Sequence, residues 1–379
     1  MIAADRDPAA RGFAFADRRA IISVEDEPQL DRLATAERID GLIAPGIDWP
    51  VAIAARIAER LALAHPIDAA TAVLATSKLR QRERFAEAGV PHPRHVVCAT
   101  LADAQAAASA LGYPCVVKAP DRQGQNGLVL VQDESVLADA FALALGESRS
   151  SVVLVEELVP GREVTVNAFS IDGRFIPLTV TDRVVAEPPA FGVALAHVWP
   201  SSLLPEEAGA VDVARAAAEA VGVCEGPTYT QVVVGERGAF VVELAARLGG
   251  GHDAELCRAA IDVDLNGLAL AAALGEPVAE PQPVGAAGGA CVRFFVPEPG
   301  ELRQIEGVGE AEAVEGVVWV RVYREPGSIL GPLRRGSDRV GAVLAVGGSR
   351  DEAVERAGRA ADCVRFVTAD APEAVVQAQ

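Results

Sequence analysis

The amino-terminal quarter of the chain alternates apolar runs of strand length with segments of helical periodicity. Two apolar runs predict buried parallel strands, and the 3.6-residue period of the segments between and after them predicts three helices. The strands are predicted at 19–24 and 39–45, and the helices at 28–38, 51–64 and 76–89. This alternation predicts an α/β layer.

After residue 94 the pattern changes to short β-like runs interrupted by two alanine-rich helices, which is typical of an α+β arrangement. The predicted strands are 95–98, 114–119, 127–131, 152–157, 163–171 and 175–180, and the predicted helices are 101–111 and 135–145. The proline-rich stretch 181–205 shows no regular period, so it is predicted to be an irregular active-site loop or lid.

A predicted helix at 206–221 is followed by the pattern of a β-hairpin. The apolar runs 232–234 and 239–242 flank a turn of glycine and charged residues. Antiparallel pairing of these runs would set Gln231 and Glu243 beside each other on adjacent strands.

Changes of composition divide the chain into three predicted domains. The Pro/Gly/Ala-rich stretch 276–289 predicts a linker, and short strands with one helix predict a small unit after it. A helix is predicted before the linker, at 253–275, and another after it, at 350–364. The predicted domains are 1–75, 76–278 and 279–379.

Charge and cysteine content narrow the cellular context. The 379 residues carry a formal net charge of -19, which argues against a nucleic-acid or anionic-membrane partner. The six cysteines show no CxxC spacing and several lie in apolar runs, so reduced core thiols are predicted. Residues 1–12 lack the apolar core of a signal peptide, and no apolar run reaches membrane-spanning length. A cytoplasmic protein is predicted.

The segment 243–253 combines an acidic residue at the end of an apolar strand with an arginine and three glycines. Gln231 and Glu243, side by side, offer oxygen ligands that suit Mg²⁺. Arg247 suits a bidentate contact with a phosphoryl group, and the glycines let a backbone approach phosphate oxygens closely. A surface ion pair followed by a flexible loop explains the same residues equally well.

Two strand–turn motifs and one basic helix carry further candidate chemistry. Lys118 ends an apolar strand and precedes a turn with Gly124 and Gly127, whose backbone N–H groups suit nucleotide phosphates. A later apolar strand ends in two carboxylates before a Pro–Gly turn and Glu163, a junction that suits an adenine edge and ribose hydroxyls. Taken singly, each motif is also explained by an ordinary charged turn, and the helix with Lys78 by a solvated face.

In their order and spacing these motifs resemble those of ATP-grasp enzymes over nearly the whole chain. The blocks are Thr-Ser-Lys78, Ala-Gly-Val-Pro91, Gly-Tyr-Pro-Cys-Val-Val-Lys118, the glycine loop, Val-Glu-Glu-Leu-Val-Pro-Gly-Arg-Glu163 and Glu243-x-x-x-Arg247-x-Gly-Gly. The resemblance implies an ATP-grasp fold in a mixed α/β and α+β multidomain chain. It also implies an amino-terminal Rossmann-like domain and a small carboxy-terminal α+β domain.

The same resemblance implies the roles of individual residues. Contacts to ATP would come from Lys78, Lys118, Gly124, Gly127, Glu156, Glu157, Leu158 and Glu163. Catalysis would rest on Arg247 and Lys118, metal binding on Gln231, Glu243 and Asp253, and substrate binding on Arg183, His197, Gly249 and Gly250. The implied metal is Mg²⁺, with Mn²⁺ as a substitute. Three carboxy-terminal arginines, Arg334, Arg335 and Arg339, either face this site or are solvated.

Three features depart from the family pattern. Gln231 stands where many relatives carry Glu, and Ala245 where most carry Asn, so the set of metal ligands is thin. Asp253 is hypothesised to compensate, although a role as N-cap of the following helix explains it equally well. The chain also begins at what resembles the family's second strand, Ile2 to Asp5, which favours an upstream start codon over loss of the first βα unit.

The implied reaction joins a small carboxylate to an amine with ATP and Mg²⁺, forming an amide or peptide bond through an acyl-phosphate. The stretch with Arg183, Phe191, His197 and Trp199 resembles the L-amino-acid ligases, which implies amino acids or related small acids as substrates; a packed loop is the alternative. Two other functions stay open: a carboxylase resembling carboxyaminoimidazole ribonucleotide synthetase, and a nucleotide-binding regulatory subunit without ligase turnover. A homodimer is expected.

Overall fold

The computed structural model describes residues 1–203, 207–285 and 287–369 of the chain. The amino-terminal unit consists of β1 (Ile2–Asp5), β2 (Arg18–Ile21), α1 (Glu27–Glu37), α2 (Asp48–Leu61) and α3 (Ala69–Ala75). β1 and β2 pair in parallel with each other. The helices predicted at 28–38 and 51–64 are confirmed as α1 and α2, whereas α3 was not predicted.

The two strands predicted for this unit differ from the structure. The strand predicted at 19–24 is confirmed only as the short β2, whose side chains are mostly exposed rather than buried. The strand predicted at 39–45 is wrong, because these residues form an irregular segment. Their apolar side chains Ile39 and Leu42 pack against α1 and α2. Packing against helices thus satisfies the hydrophobicity that predicted a strand.

The next unit is an antiparallel four-stranded sheet, here called the small sheet. Its elements are α4 (Lys78–Ala88), β3 (His95–Cys98), α5 (Leu101–Leu111), β4 (Cys115–Lys118), β5 (Leu128–Val131), α6 (Leu137–Glu147) and β6 (Val153–Glu157). The strands lie in the order β3, β6, β4, β5, and α5 and α6 cover one face with an apolar core. A capping box between Thr100 and Asp103 starts α5. The elements predicted between 76 and 157 are confirmed.

An eight-stranded antiparallel sheet, here called the large sheet, follows. The elements up to residue 275 are β7 (Arg162–Ile171), β8 (Arg174–Val185), β9 (Ala194–Trp199), α7 (Glu207–Val221), β10 (Gly226–Gly235), β11 (Gly238–Ala245), α8 (Asp253–Ile261) and α9 (Leu265–Leu274). The later elements are β12 (Gly289–Phe295), β13 (Gly300–Glu306), α10 (Val308–Glu312), β14 (Val317–Val322), β15 (Ile329–Leu330), β16 (Gly341–Gly347), α11 (Arg350–Cys363) and β17 (Arg365–Ala369). The strands of the large sheet lie in the order β11, β10, β7, β8, β9, β12, β16, β14, and β15, β13 and β17 form a separate sheet.

The irregular loop predicted at 181–205 is largely wrong. β8 continues to Val185, and β9 occupies Ala194–Trp199, so the irregular part between them is 186–193. Polar residues at alternate positions of β8, such as Thr181 and Arg183, hide the apolar alternation that normally predicts a strand. Residues 204–206 of the predicted loop and helix lie outside the described residues, and the helix predicted at 206–221 is confirmed as α7.

The helix predicted at 253–275 is two helices. Asp262 takes a left-handed backbone conformation with φ of 56° and ends α8. Asp264 then caps α9, its side chain accepting a hydrogen bond from the N–H of Gly267. An aspartate pair inside an apolar helical period therefore marks a helix break that periodicity alone does not reveal.

The carboxy-terminal unit shares the large sheet with the preceding domain. β12 pairs with β9, so the sheet runs across the predicted boundary between 278 and 279. The described part of the predicted linker, 276–285 and 287–288, contains no helix or strand, and α11 confirms the predicted helix at 350–364. Residue 286 and the last ten residues, 370–379, lie outside the described residues. No helix of the described residues is long and apolar enough to cross a membrane.

Because one apolar cluster spans both sides of this boundary, we expect the two units to unfold together. Leu344 on β16 is 1% exposed and packs in a cluster with Phe169 and Leu256. Leu344→Ala is expected to lower the free energy of unfolding by about 2–5 kcal/mol while keeping one transition in denaturant. The half-exposed Leu270→Ala is the control and should change it by less than about 0.5 kcal/mol. Two separate transitions, with only one shifted by Leu344→Ala, would contradict this expectation.

Candidate active site

The cleft between the two sheets is lined by a polar face of the large sheet. Glu243, Gln231, Thr165 and Thr181 are register neighbours across β11, β10, β7 and β8. Since side chains alternate along a strand, such neighbours share one face. The predicted side-by-side placement of Gln231 and Glu243 is confirmed.

A second polar row lies beside the first. It consists of Ala245, Tyr229, Asn167 and Thr179 on the same four strands. Tyr229, Asn167 and Thr179 are buried. The alternation of Glu163, Thr165 and Asn167 inside the apolar run of β7 was a period-2 signal for this face, and it would have identified Asn167 from sequence.

A cavity of about 550 Å³ opens between the small sheet and this polar face. It is lined by seven of the predicted site residues: Lys118, Glu156, Glu157, Leu158, Glu163, Arg183 and Gln231. Val116 and Leu128 from the small sheet and Val233 and Val242 from the large sheet give it apolar walls. A cavity of this volume with apolar walls and charged residues is typical of a small-molecule site.

Three buried charges meet on the small-sheet side of the cavity. Glu156 Oε2 lies 2.5 Å from Lys118 Nζ, and Glu156 Oε1 lies 2.8 Å from Arg82 Nε. Burial alone would raise the pKa of Glu156, but Arg82 and Lys118 outweigh it and hold the pKa at about 2. Burial lowers the pKa of Lys118 to about 8, although Glu156 opposes the shift. Arg82, one helical turn after Lys78 on α4, was missed in the sequence.

The segment Glu156, Glu157 and Leu158 at the end of β6 is here called the hinge. Both of its carboxylates are paired with cations. Glu156 binds Lys118 and Arg82, and Glu157 accepts hydrogen bonds from Arg94 and Arg237. What this hinge offers an adenine is therefore backbone, together with the side chain of Leu158 on the cavity wall. The predicted contact of the hinge with adenine stays a prediction.

Lys78 joins the small-sheet unit to the large sheet. Its Nζ lies 2.8 Å from Glu243 Oε1 and donates to the carbonyl of Arg122 at 2.6 Å. Burial would raise the pKa of Glu243, but the Lys78 ammonium outweighs it and lowers the pKa. Each predicted lysine is thus held by a carboxylate, Lys118 by Glu156 on the small sheet and Lys78 by Glu243 on the large sheet.

The glycine loop between β4 and β5 borders the cavity, which its Gln125 lines. Gly124 and Gly127 both have φ of 67°, a left-handed conformation that favours glycine. The carbonyl of Gly124 accepts a hydrogen bond from the N–H of Gly336 at 3.1 Å, and Arg335 Nη1 donates to Asn126 Oδ1 at 3.4 Å. The carboxy-terminal unit therefore contacts the loop through Arg335, whose side chain is also 42% exposed to solvent.

The segment 243–253, here called the glycine corner, contains Arg247. The guanidinium of Arg247 is paired with a carboxylate of the amino-terminal unit. Arg247 Nε donates to Asp48 Oδ1 at 2.6 Å, and Arg247 Nη2 donates to Asp48 Oδ2 at 3.0 Å. The guanidinium carbon lies 5.8 Å from the centre of the Tyr229 ring, within cation–π range. Asp48 was missed in the sequence, where one aspartate before an apolar helix carries no signal of a partner 199 residues away.

A buried histidine and aspartate stand next to this corner. His197 Nδ1 lies 3.7 Å from Asp253 Oδ1, and Asp253 accepts hydrogen bonds from the N–H of Gly251 and from Asn167. Burial lowers the pKa of His197 to about 4, although Asp253 opposes the shift. Among the described residues His197 Nδ1 has no hydrogen-bond partner. Asp253 is the first residue of α8 rather than its N-cap, which is His252.

The small size of the corner glycines is required by these neighbours. A Cβ at Gly249 would lie 2.3 Å from Asp253 Oδ2 and 2.6 Å from the Tyr229 ring. A Cβ at Gly251 would lie 2.5 Å from His197 Nε2. Gly250 is less crowded, its nearest neighbour being the carbonyl of Gly46 at 3.6 Å. Two of the three glycines thus leave room for the buried polar groups.

The residues that could hold a cation are few. Gln231 and Glu243 are neighbours in register, Ala245 has no ligand atom, and Asp253 belongs to the cluster with His197 and Asn167. In the part of the chain that the structure describes, no group of three or more His, Cys, Asp or Glu side chains could hold a metal by itself. The donors present fit a Mg²⁺ ion that takes most of its ligands from nucleotide phosphates.

The structure divides the predicted substrate-binding stretch, which contains Arg183, Phe191, His197 and Trp199, between different places. Arg183 Nη1 donates to Glu163 Oε2 at 2.6 Å, and with Phe191 it lines the nucleotide-sized cavity. Trp199 packs on the apolar cluster that contains Phe169 and Leu256.

Arg339 stacks on Phe294, 3.7 Å from its ring centre. The sequence did not single out Phe294.

A two-sheet cleft with buried lysines, a glycine loop and an acidic strand end defines a nucleotide-binding protein of the ATP-grasp class. Residues 77–281, more than half of the chain, match the family "Carbamoyl-phosphate synthase L chain, ATP binding domain". Residues 293–369 match "L-amino acid ligase C-terminal domain 2". The chain belongs to the ATP-grasp carboxylate–amine ligases and is an ATP-dependent ligase that forms carbon–nitrogen bonds.

Named relatives support this membership over most of the chain. A formate-dependent phosphoribosylglycinamide formyltransferase of Burkholderia cenocepacia is 30% identical over 97% of this chain and 90% of its own length. The uncharacterized protein y4rH of Sinorhizobium fredii is 32% identical over 73% of this chain, which spans 58% of that protein.

Solved structures share the fold. An L-amino acid ligase from Bacillus licheniformis superposes with a TM-score of 0.80 at 22% identity, covering 93% of this chain and 88% of that chain. The biotin carboxylase domain dimer of a 2-oxoglutarate carboxylase from Hydrogenobacter thermophilus, in complex with MgADP, gives a TM-score of 0.76 at 19% identity, covering 97% of this chain and 84% of that chain. The predicted ATP-grasp fold is thereby confirmed.

We expect the buried Lys118 to make nucleotide binding dependent on pH. A phosphate beside Lys118 favours its charged form, and that form is lost as pH rises through the pKa of about 8. Affinity for the non-hydrolysable ATP analogue AMPPNP with Mg²⁺ should therefore fall by up to about tenfold per pH unit above that pKa. Calorimetric titration measures this. In Lys118→Arg the guanidinium does not titrate, so its smaller pH slope is expected to reveal the Lys118 contribution. Equal slopes in the two proteins would contradict it.

Proposed function

We propose that this enzyme joins a small carboxylic acid, an amino acid or a close relative of one, to an amine through an acyl-phosphate. The supporting observation is that two differently built compartments lie along one face of the large sheet, where Gln231 lines the first and Tyr229 borders the second. The first is the nucleotide-sized cavity with Lys118. The second is the glycine corner, with the buried pair of His197 and Asp253 and the ion pair of Arg247 with Asp48.

The nucleotide compartment would supply positive charge and exclude water. Lys78 and Lys118 would neutralise the charge of phosphate oxygens. The glycine loop, which contacts the carboxy-terminal unit, would keep water from hydrolysing the acyl-phosphate. In the reaction a carboxylate oxygen bonds to the γ-phosphorus and ADP leaves. The amine then bonds to the carbonyl carbon, phosphate leaves, and the amine loses a proton. Mg²⁺, held by Glu243 and Gln231 with the phosphates, would neutralise charge on the transferred phosphoryl group.

The second compartment suits a zwitterion. Asp253 is fully buried and would hold an ammonium group, whereas Arg339 would hold a carboxylate and Arg247 the transferred phosphoryl group. His197 is neutral near neutral pH because its pKa is about 4, so it offers one N–H and one lone pair to a substrate. The match of 293–369 to an L-amino acid ligase domain, which contains Arg339, also favours amino acids.

A second candidate rests on the Burkholderia relative, which matches nearly the whole chain. Formate would be the acid and phosphoribosylglycinamide the amine, as the name of the Burkholderia protein states. The observation that favours it is 30% identity over 97% of this chain. Arg335, which contacts the glycine loop, and Arg339, which stacks on Phe294, would suit the ribosyl phosphate. A homodimer and a cytoplasmic location remain proposals for either function.

A phosphate-release screen separates the candidates. The enzyme is mixed with ATP, Mg²⁺ and pairs of amino acids, with formate and phosphoribosylglycinamide, or with bicarbonate and 5-aminoimidazole ribonucleotide. We expect release only with amino-acid pairs, and loss of about 100-fold or more of it in Arg247→Ala. Release with formate selects the second candidate, and release with bicarbonate selects a carboxylase. Silence in every mixture, with AMPPNP still bound, would indicate a regulatory subunit and overturn the proposal.

The place of Asp253 distinguishes substrate binding from metal binding. Its contacts with Gly251, Asn167 and His197 predict that Asp253→Asn raises the KM of one substrate by about tenfold or more. The Mg²⁺ concentration for half-maximal rate should stay unchanged. Asp264→Asn, which alters the exposed cap of α9, is the matched control. A shift in the Mg²⁺ requirement with an unchanged KM would assign Asp253 to the metal instead.

A further inference from the structure

One buried ion pair links the amino-terminal unit to the arginine of the glycine corner. Asp48 and Arg247 are 9% and 10% exposed in their side chains and make a two-point contact at 2.6 and 3.0 Å. Arg247 Nη1 also donates to the carbonyl of Leu248 at 2.7 Å. These bonds use three of the five N–H groups of the guanidinium and leave two for an anionic ligand.

The surroundings of the pair hold the guanidinium on several sides. Asp48 is the first residue of α2, so its backbone is fixed by the helix. The segment before it lies on the glycine corner, with the carbonyl of Gly46 next to Gly250. The Tyr229 ring lies on another side of the Arg247 guanidinium. Three parts of the fold therefore set the plane of one side chain.

We propose that Asp48 is a positioning residue that orients the Arg247 guanidinium toward the terminal phosphate of the nucleotide, an inference that rests on the proposed function. A two-point carboxylate contact fixes both the direction and the plane of a guanidinium, which a single contact does not. Asp48 itself is an anion and would repel a phosphate. Its benefit to phosphate binding must therefore come through the orientation of Arg247.

The charge of Asp48 and its positioning of Arg247 would change phosphate binding in opposite directions, so the direction of the change distinguishes them. If Asp48 acted only through its charge, Asp48→Asn would bind the terminal phosphate more tightly, because an anion is removed beside Arg247. If Asp48 positions Arg247, the same substitution binds it more weakly. The measured quantity is the ratio of the dissociation constants of MgADP and Mg²⁺–AMPPNP, obtained by calorimetry. That ratio reports the terminal phosphate without requiring turnover or a known acceptor.

We expect Asp48→Asn to reduce this ratio by about tenfold and Asp48→Glu, which keeps a carboxylate, to restore part of it. In the Arg247→Ala background Asp48→Asn should have no further effect, since the residue it positions is absent. Glu25→Gln is the matched control. It removes another ion pair of the amino-terminal unit, to Arg149 at 2.6 Å, and should leave the ratio unchanged.

An unchanged or increased ratio in Asp48→Asn overturns the positioning role, even if the enzyme is a ligase. Equal effects of Asp48→Asn with and without Arg247 also overturn it. Failure of the wild-type protein to bind either nucleotide overturns the proposed function and this inference together. If Asp48→Asn does not fold, as judged by thermal unfolding, the ratio in Asp48→Glu decides: a value equal to that of the wild type contradicts the dependence on carboxylate geometry.

Discussion

The buried guanidinium of Arg82 connects the parts of the protein that must surround a nucleotide. It is fully buried on α4, bonds Glu156 on the small sheet, and donates at 2.6 Å to the carbonyl of Val242 on the large sheet. Leaving either charge of such a pair unpartnered costs about 3–5 kcal/mol. The same carboxylate holds Lys118, so the position of the cleft lysine depends on the joint between the two sheets.

The charges of the cleft are balanced before any ligand enters. Lys118 is bound to Glu156, Lys78 to Glu243 and Arg247 to Asp48. On the proposed function a nucleotide would compete for some of these cations, and a cation bridging its phosphates would compete for Glu243. The pairs keep buried charges from standing alone in the free protein. They also keep the long side chains ordered, which lowers the entropic cost of binding.

Local sequence pattern was sufficient for several elements that carry candidate site residues. The hairpin period placed Gln231 beside Glu243, and the strand–turn pattern placed Lys118 before the glycine loop. The pattern failed where long-range contacts decide the structure. The segment 39–45 looks like a strand because it is apolar, but helices α1 and α2 cover it. Asp48 pairs with Arg247, which lies 199 residues further along the chain, and no local period carries that information.

β8 shows a related limit of sequence reasoning. Thr181 and Arg183 are polar because they face the cleft, and this polarity hides the alternation by which a strand is recognised. A functional face is therefore where pattern reasoning is weakest. The alternation of polar residues in β7 was the compensating signal, because it shows the same face from the neighbouring strand. Reading two strands together would have placed Thr181 and Arg183 correctly.

The small residues Ala245 and Gly249 both lie next to the ring of Tyr229, and Ala245 is also the reason that there are few side-chain metal ligands. Ala245 is the register neighbour of Tyr229, and the ring of Tyr229 also reaches the space over Gly249. A large side chain opposite two small ones fills that space, as cross-strand packing requires. Asparagine at 245 would bring an oxygen ligand but would crowd the ring that lies beside Arg247. The chain thus places an aromatic ring beside Ala245, and on the proposed function more of the phosphoryl charge would be met by Arg247.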